Sequence, residues 1–329
     1  MESLPNEQDF LSIPQEEEGS RLDRYLNRQF PEASFSLIAK LIRKGTIRVD
    51  QKRAKISDRV LTGQLVKIPR ALKPAESPTS SQEAPYTKAK QLSLTAKDRK
   101  EISSWILEER DDFLVLNKPA GLAVQGGSKL QRHLDHLLIL YYQDKNITPR
   151  LVHRLDKETS GLLIVAKTLP FSTYMTRAFK EKNIRKSYLA ILHGRIIGAE
   201  AGVIDLPLCK KQGPTGEYMA ADRKQGRSAI TEYKTLSQSD DTTLIRLKPL
   251  TGRTHQLRVH MQEKGTPILG DDKYGRSRGF FKAHDLPKNL CLHAQKLAFT
   301  LPSGEGYTVT APLPQHFQVI LERFNLHGA

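Results

Sequence analysis

Residues 151–167 read Leu151-Val-His-Arg-Leu-Asp-Lys-Glu-Thr-Ser-Gly-Leu-Leu-Ile-Val-Ala-Lys. The apolar run from Leu162 to Ala166 is far too short to cross a bilayer and reads as a strand over 161–167. Ahead of it the carboxylate of Asp156 sits in a polar loop between two apolar segments, three residues before Thr159-Ser160-Gly161. A carboxylate on a loop held between rigid strands is suitably placed for a nucleophile or a general base. The same spacing also suits an Asp156 that pairs with Arg154 or caps the next turn, and spacing alone leaves both open.

Working outward, Trp105-Ile-Leu-Glu, the charged turn Arg110-Asp-Asp and Phe113-Leu-Val-Leu-Asn form a hairpin. Further strands are expected at 186–193, 228–236, 243–249 and 296–301, with helices near 130–143, 171–182 and 254–264. No repeat of fixed period is present. Many strands and few helices, without strict βαβ alternation, predict an α+β domain over 104–326 built on a mixed, largely antiparallel sheet.

A second polar stretch runs Leu250-Thr-Gly-Arg-Thr-His-Gln-Leu-Arg-Val-His-Met-Gln-Glu-Lys-Gly-Thr-Pro. Thr254 is the expected N-cap of a short helix, Gly265 its C′ residue and Pro267 its stop. Arg253, just before the helix, can point into a cleft. His255 and His260, five residues apart, lie roughly 140° apart around a helix and share no face. With no cysteine or carboxylate cluster beside them, no metal site is expected. Gly126-Gly127-Ser128-Lys129 lacks the ending of a phosphate-binding loop, and no Gly-x-Gly-x-x-Gly follows a strand. No cofactor is therefore expected.

The chain of 329 residues carries 52 Lys+Arg against 36 Asp+Glu, a net charge of +16 that favours phosphate-rich partners. Its two cysteines, Cys209 and Cys291, can build neither a disulfide framework nor a four-cysteine zinc site and read as incidental thiols in a reducing compartment. The N-terminus has no apolar secretory core, so a cytoplasmic protein without a membrane span is expected. Residues 1–19 read as a disordered acidic tail and 71–103, rich in Pro, Ser, Thr, Ala, Lys and Gln, as a linker.

Residues 20–70 hold thirteen Lys/Arg against four acids, more than half of the chain's net positive charge. Leu22, Tyr25 and Leu26 recur at helical spacing and Pro31 ends that helix; Leu37, Ile38, Leu41 and Ile42 stripe a second helix closed by Gly45. Ile47 and Val49 alternate as a short strand, and Leu65-Val-Lys-Ile follows the turn at Thr62-Gly63. From Arg21-Leu-Asp-Arg-Tyr-Leu through Leu41-Ile-Arg-Lys-Gly-Thr-Ile-Arg-Val-Asp this segment resembles the S4 (αL-type) RNA-binding domain. That resemblance implies RNA contacts by Arg43, Lys44, Arg48, Lys52 and Arg53, and it names the partner without naming a reaction.

Over roughly 105–325 the chain resembles the RluA family of pseudouridine synthases. The resemblance rests on His153-Arg-Leu-Asp followed by Thr159-Ser-Gly, on Asn117-Lys-Pro-Ala-Gly-Leu, and on Lys186-Ser-Tyr-Leu-Ala. It continues in Thr251-Gly-Arg-Thr-His-Gln-Leu-Arg-Val-His, in Ile268-Leu-Gly-Asp before Tyr274-Gly275, and in Leu292-His-Ala. With its S4 segment the chain is most similar to the RluC type, which modifies uridines in large-subunit (23S) ribosomal RNA; Gln125 stands where relatives usually carry His.

The resemblance implies that Asp156 initiates cleavage of the glycosidic bond, by attack at C1′ or by proton abstraction at C2′. Tyr188 would lie against the uracil and assist loss of the C5 proton. Arg253 would pair with Asp156 and aim it, a nearby cation favouring a charged carboxylate. Arg154 would enter the RNA stack and help expel the target nucleotide, and Leu257 would pack around the pocket. An isomerisation needs no cofactor. The implied partner is 23S ribosomal RNA or a ribosome assembly intermediate, met by a monomer. Two rivals are a non-catalytic RNA-binding assembly factor, which leaves the polar set without purpose, and a metal-dependent nuclease, which requires clustered carboxylates. A relative acting on another ribosomal site or on transfer RNA is the alternative within the family.

Overall fold

Strands buried on both faces need apolar residues in unbroken runs, and residues 113–116 and 162–166 supply two of them. The computed structural model describes residues 9–30, 33, 35–72, 94–126, 132–145, 147–214, 216–275, 278–286 and 288–328. They fall into two compact units, one within residues 1–93 and one within residues 94–126 and 132–329.

In the first unit β1 (Phe10–Ser12) precedes α1 (Leu22–Gln29), α2 (Phe35–Lys44), β2 (Arg48–Val49), β3 (Lys52–Arg53) and β4 (Leu65–Lys67). The strands form an antiparallel sheet in the order β1-β4-β2-β3. Leu22, Tyr25 and Leu26 of α1 meet Ile38 and Ile42 of α2 over Ile47 and Val66, so the two apolar stripes read from the sequence are the core. Gly45 closes α2 at φ +76, with Thr46 N–H returning to the Leu41 carbonyl.

The segment 1–19 departs from the disordered tail expected of it. Residues 1–8 lie outside the described residues, but Phe10–Ser12 pairs with β4, Ile13 is buried, and Glu17 holds Arg28. A short apolar stretch inside an acidic segment completes a sheet edge, and composition averages it away.

The second unit opens with α3 (Ala96–Trp105), β5 (Ile106–Glu109), β6 (Phe113–Lys118), α4 (Leu134–Tyr142), β7 (Arg150–Leu151), β8 (Ser160–Ala166), α5 (Leu169–Lys180) and β9 (Arg185–His193). It continues with β10 (Ala201–Asp205), β11 (Leu208–Gly213), β12 (Gly216–Ala221), β13 (Ile230–Gln238) and β14 (Thr242–Pro249). Then follow α6 (Gln256–Glu263), α7 (Arg278–His284), β15 (Leu292–Thr300), β16 (Gly306–Thr310) and α8 (Gln315–Arg323). Helix α3 begins inside the stretch read as a linker, of which residues 73–93 are outside the described residues, and runs on through Trp105, which the sequence placed in a strand. Thr95 and Asp98 form a reciprocal capping box, and Ile102 and Trp105 are buried.

Among the described residues the main sheet has ten strands in the order β10-β13-β14-β9-β15-β8-β6-β5, with β16 added to β15 and β7 to β8. The pair β15–β8 is parallel and the others are antiparallel. The sheet is thus mixed and largely antiparallel, as expected. Leu162 and Ile164 of β8 join Phe113 and Val115 under Phe171 and Met175 of α5, while Leu163 and Val165 join Leu114 and Leu116 under α3 and α4. Among the described residues no helix is long and apolar enough to cross a membrane.

Candidate active site

Asp156 lies on the loop that enters β8, and nearly every residue around it is tied down. Val152 and Leu155 are buried in the cores on the two sides of β8. His153 stacks on Phe179, and its Nε2 accepts the Ile164 N–H at 2.8 Å, in the way a neighbouring strand's carbonyl would. Burial, and then Lys186, lower the His153 pKa to about 3, so the ring is neutral and free to accept. The Lys157 carbonyl takes the Gly121 N–H at 2.9 Å, and Thr159 N–H closes a turn on the Asp156 carbonyl at 3.2 Å. Two side chains of the loop are left for chemistry: Asp156, half-buried, and Arg154, exposed and without a hydrogen bond or ion pair to any described residue.

Two features hold this loop in register. Gly161, at φ +109, lets β8 approach β15; a Cβ there would come within 2.4 Å of the Ala294 carbonyl oxygen. Lys118, at the end of β6, is 1% exposed and donates to the carbonyls of Pro119, Leu122 and Lys157 at 2.8, 2.9 and 3.1 Å. Burial lowers its pKa to about 7, against the pull of Glu158 and Asp156.

The cation facing Asp156 is Arg258 of α6, not Arg253. Nε and Nη2 of Arg258 make a two-pronged bond to Asp271 at 2.7 and 2.8 Å, which leaves Nη1 3.9 Å from Asp156 Oδ2. Burial opposes the charge, but Asp271 and then Asp156 more than offset it and raise the Arg258 pKa. The guanidinium lies 5.1 Å from the centre of the Tyr274 ring. Arg253 instead is exposed and donates from Nε to the Ser228 carbonyl at 3.0 Å. It precedes the helix, whereas Arg258 lies on a stretch of α6, Gln256 to Met261, that is buried throughout.

His255 approaches from the same side, with Nε2 4.0 Å from Asp156 Oδ2 and Nδ1 2.7 Å from the Tyr274 hydroxyl. Burial first, then Arg258 and Lys273, lower its pKa against Asp156 and Asp271. Tyr274 Oη already accepts the Met219 N–H, so its proton is available to His255 Nδ1. A neutral ring in that arrangement carries its own proton on Nε2, toward Asp156.

The helix begins one residue later than expected. Its N-cap is His255, at φ +53 and without a side-chain cap, in place of Thr254. The side-chain oxygen Oε1 of Gln256 instead ties down the segment before the helix, accepting from the Arg253 N–H and the Thr251 hydroxyl. Gly265 is left-handed, as expected of a C′ residue.

Tyr188, on β9, is half-buried between the cores. Burial first and Asp156 second push its hydroxyl pKa upward, so it stays a protonated phenol. Leu257 is buried in the same core cluster as Leu247. His260 bonds Thr231 Oγ1 and the Leu206 carbonyl, away from His255. Among the described residues no group of three or more His, Cys, Asp or Glu is placed to hold a metal ion. In the first unit Arg43, Lys44, Lys52 and Arg53 are exposed, while Arg48 reaches back to the Gly45 and Gln51 carbonyls.

Sequence reasoning missed Arg258, Asp271 and Lys118 as members of the site, and considered His255 only as a ligand. The signal for Arg258 was present: an arginine amid buried helix residues demands a carboxylate, and Asp271 follows a Leu-Gly turn thirteen residues on.

Residues 112–263 match the RNA pseudouridylate synthase family, and residues 20–66 match the S4 domain. A protein of Rickettsia bellii named ribosomal large subunit pseudouridine synthase C is 36% identical over 91% of this chain and 96% of its own. One of the same name from Haemophilus ducreyi is 36% identical over 95% of each. The chain belongs to the RNA pseudouridylate synthase family. Among solved structures, human RNA pseudouridylate synthase domain containing 4 superposes with a TM-score of 0.59 at 30% identity, over 70% of this chain and 96% of that one. Human RNA pseudouridylate synthase domain containing 1 gives 0.53 at 32%, over 64% and 83%. Asp156, Tyr188, His255 and Arg258 all lie within the synthase-matching residues, whereas Asp271 and Tyr274, which brace Arg258, lie beyond them.

Proposed function

We propose that this synthase isomerises uridines to pseudouridine in large-subunit (23S) ribosomal RNA, free or in an assembly intermediate, acting in the cytoplasm and without a cofactor. The observation that carries the proposal is the convergence of Asp156, Tyr188 and Arg258 beside a loop whose buried residues are committed to structure.

A stacked uridine cannot present its glycosidic bond to a carboxylate, so the base must leave the helix, at about a few kcal/mol. Arg154, exposed and without a partner among the described residues, fills the vacated stack. Asp156 then acts at the sugar, as nucleophile at C1′ or as base at C2′, and the N1–C1′ bond breaks. Arg258, braced by Asp271 and Tyr274, keeps the carboxylate on its trajectory, and His255 Nε2 limits its rotation. The detached uracil turns and C5 bonds to C1′ as the Asp156–C1′ bond breaks, or the C2′ proton returns; the C5 proton passes to solvent while N1 takes one up, and the protonated Tyr188 packs against the ring during this step. The S4 domain supplies sequence-tolerant affinity through Arg43, Lys44, Arg48, Lys52 and Arg53.

The test is tritium release from 23S RNA transcribed with uridine labelled at C5, for wild type and Asp156→Ala, with EDTA present throughout. Stoichiometric release by the wild type alone is expected. Release by the variant would sink the role of Asp156, and an inert wild type would sink the choice of substrate.

A further inference from the structure

The sheet has a second open side that this chemistry leaves unused. Neighbouring residues of a strand point to opposite faces, and the register pairs Tyr188 with Leu247, Leu189 with Arg246, and Glu232 with Lys248. Thr231 is bonded to Gln256 and His260 of α6, Leu247 packs with Leu257, and Tyr188 faces Asp156. Ser187, Glu232, Arg246 and Lys248 therefore face away from the site. On that reverse side an open groove of about 1030 Å³ crosses β13, β14, β9, β15 and β16. Five strands at ~4.8 Å spacing make it roughly 19 Å wide.

Lys182, Arg185, Arg246, Lys248 and Lys296 line the groove, and Glu232 is the one carboxylate among them. None of these five cations has a side-chain hydrogen bond or ion pair with a described residue. Lys182, Arg185, Lys248 and Lys296 are exposed. Lys296 reaches this side through an irregularity. Ala294 pairs with Tyr188 on the site face, and the bulge after it sets Lys296 opposite Ser187, on the groove face. Without the extra residue, alternation would aim Lys296 at the other side.

Unneutralised like charge gathered on one face destabilises the fold unless an anion meets it. The lining holds no aromatic side chain, so it offers neither a platform for stacking bases nor the anchor that a protein partner's hot spot needs. What remains is a track for a phosphate backbone. We infer that this groove is a second RNA-binding surface, which holds the backbone of RNA flanking the target while the target uridine occupies the Asp156 side. The inference rests on the RNA-substrate reading above.

The test uses the full-length chain with Lys182, Lys248 and Lys296 changed together to Gln, and separately Glu232→Gln. Two RNAs are compared: the 23S transcript and a short hairpin carrying one mapped target. For the triple variant on the long RNA, KM rises roughly tenfold and the slope of log affinity against log salt flattens by about 2, with kcat unchanged. On the hairpin, which is too short to reach both faces, the variant matches wild type. Glu232→Gln moves affinity and slope the opposite way, which a folding defect would not do.

Wild-type KM and slope in the triple variant, or equal losses on both RNAs, would overturn the groove. So would loss of poly-glutamate binding with the RNA slope untouched, which would assign the face to an acidic protein. Salt slopes are read from binding alone, so a wild type that binds both RNAs without releasing tritium would sink the functional proposal and leave the groove to be judged separately.

Discussion

The first unit and the Asp156 site of the second carry their charge in opposite ways. In the first, Arg43, Lys44, Lys52 and Arg53 stand in solvent; in the second, Arg258 and Lys118 are buried and their N–H groups are committed to Asp271 and to three carbonyls. Exposed cations act at a distance, add together and are screened by salt. Buried ones act through geometry, and one cannot replace another. Affinity and chemistry should therefore fail separately.

The largest effect after loss of Asp156 itself is expected from Arg258→Ala. Removing one partner of a buried pair costs about 3–5 kcal/mol of stability, and kcat should fall at least about a hundredfold. Arg258→Lys should restore stability better than turnover, because an ammonium cannot hold Asp271 with two prongs and still face Asp156. Arg253→Ala, losing one bond to a carbonyl, should change kcat by less than about tenfold. Single-turnover rates and thermal melts would decide, and the reverse ranking of the two arginines would break the assignment.

A smaller effect tests the other side. Changing Arg43, Lys44, Lys52 and Arg53 together to Gln should flatten the salt dependence of RNA binding by about 3 and leave saturating single-turnover rates intact. A fall in that rate would mean that the exposed cations do more than hold RNA.

The smallest is a pH effect at Lys118. Its folded pKa, about 7, lies below the ordinary lysine value of 10.5. Between those values the unfolded chain holds a proton that the folded chain has released, so this group makes stability rise with pH across that window. Denaturant titrations from pH 6 to 10 should show the rise in wild type and not in Lys118→Met. A flat wild-type profile would mean that the three carbonyls keep the ammonium charged throughout.

Periodicity was legible wherever burial is one-sided or complete. The stripes of α1 and α2, the hairpin of β5 and β6, and the runs of β8, β9 and β14 are where their sequences placed them. Strands β10 to β12, helices α7 and α8 and strand β16 were not foreseen. Residues 201–221 are mostly half-buried or exposed, so their side chains carry little pattern. Helix α3 was hidden by the polar composition around it, although Thr95 and Asp98 mark its start.

For the site, Asp156 and Tyr188 and their roles came from the family resemblance that several motifs in order carry, while spacing alone left Asp156 open. The choice between Arg253 and Arg258 was decided only by tertiary structure. Both lie in one eight-residue stretch, and local spacing says nothing of where Asp156 arrives from a strand a hundred residues away. The same holds for the three carbonyls around Lys118, for the close approach that requires Gly161, and for the bulge that turns Lys296 to the reverse face. Sequence records which groups a local element can present; which of them meet depends on the packing of elements distant in the chain, and there a one-residue shift changes the face.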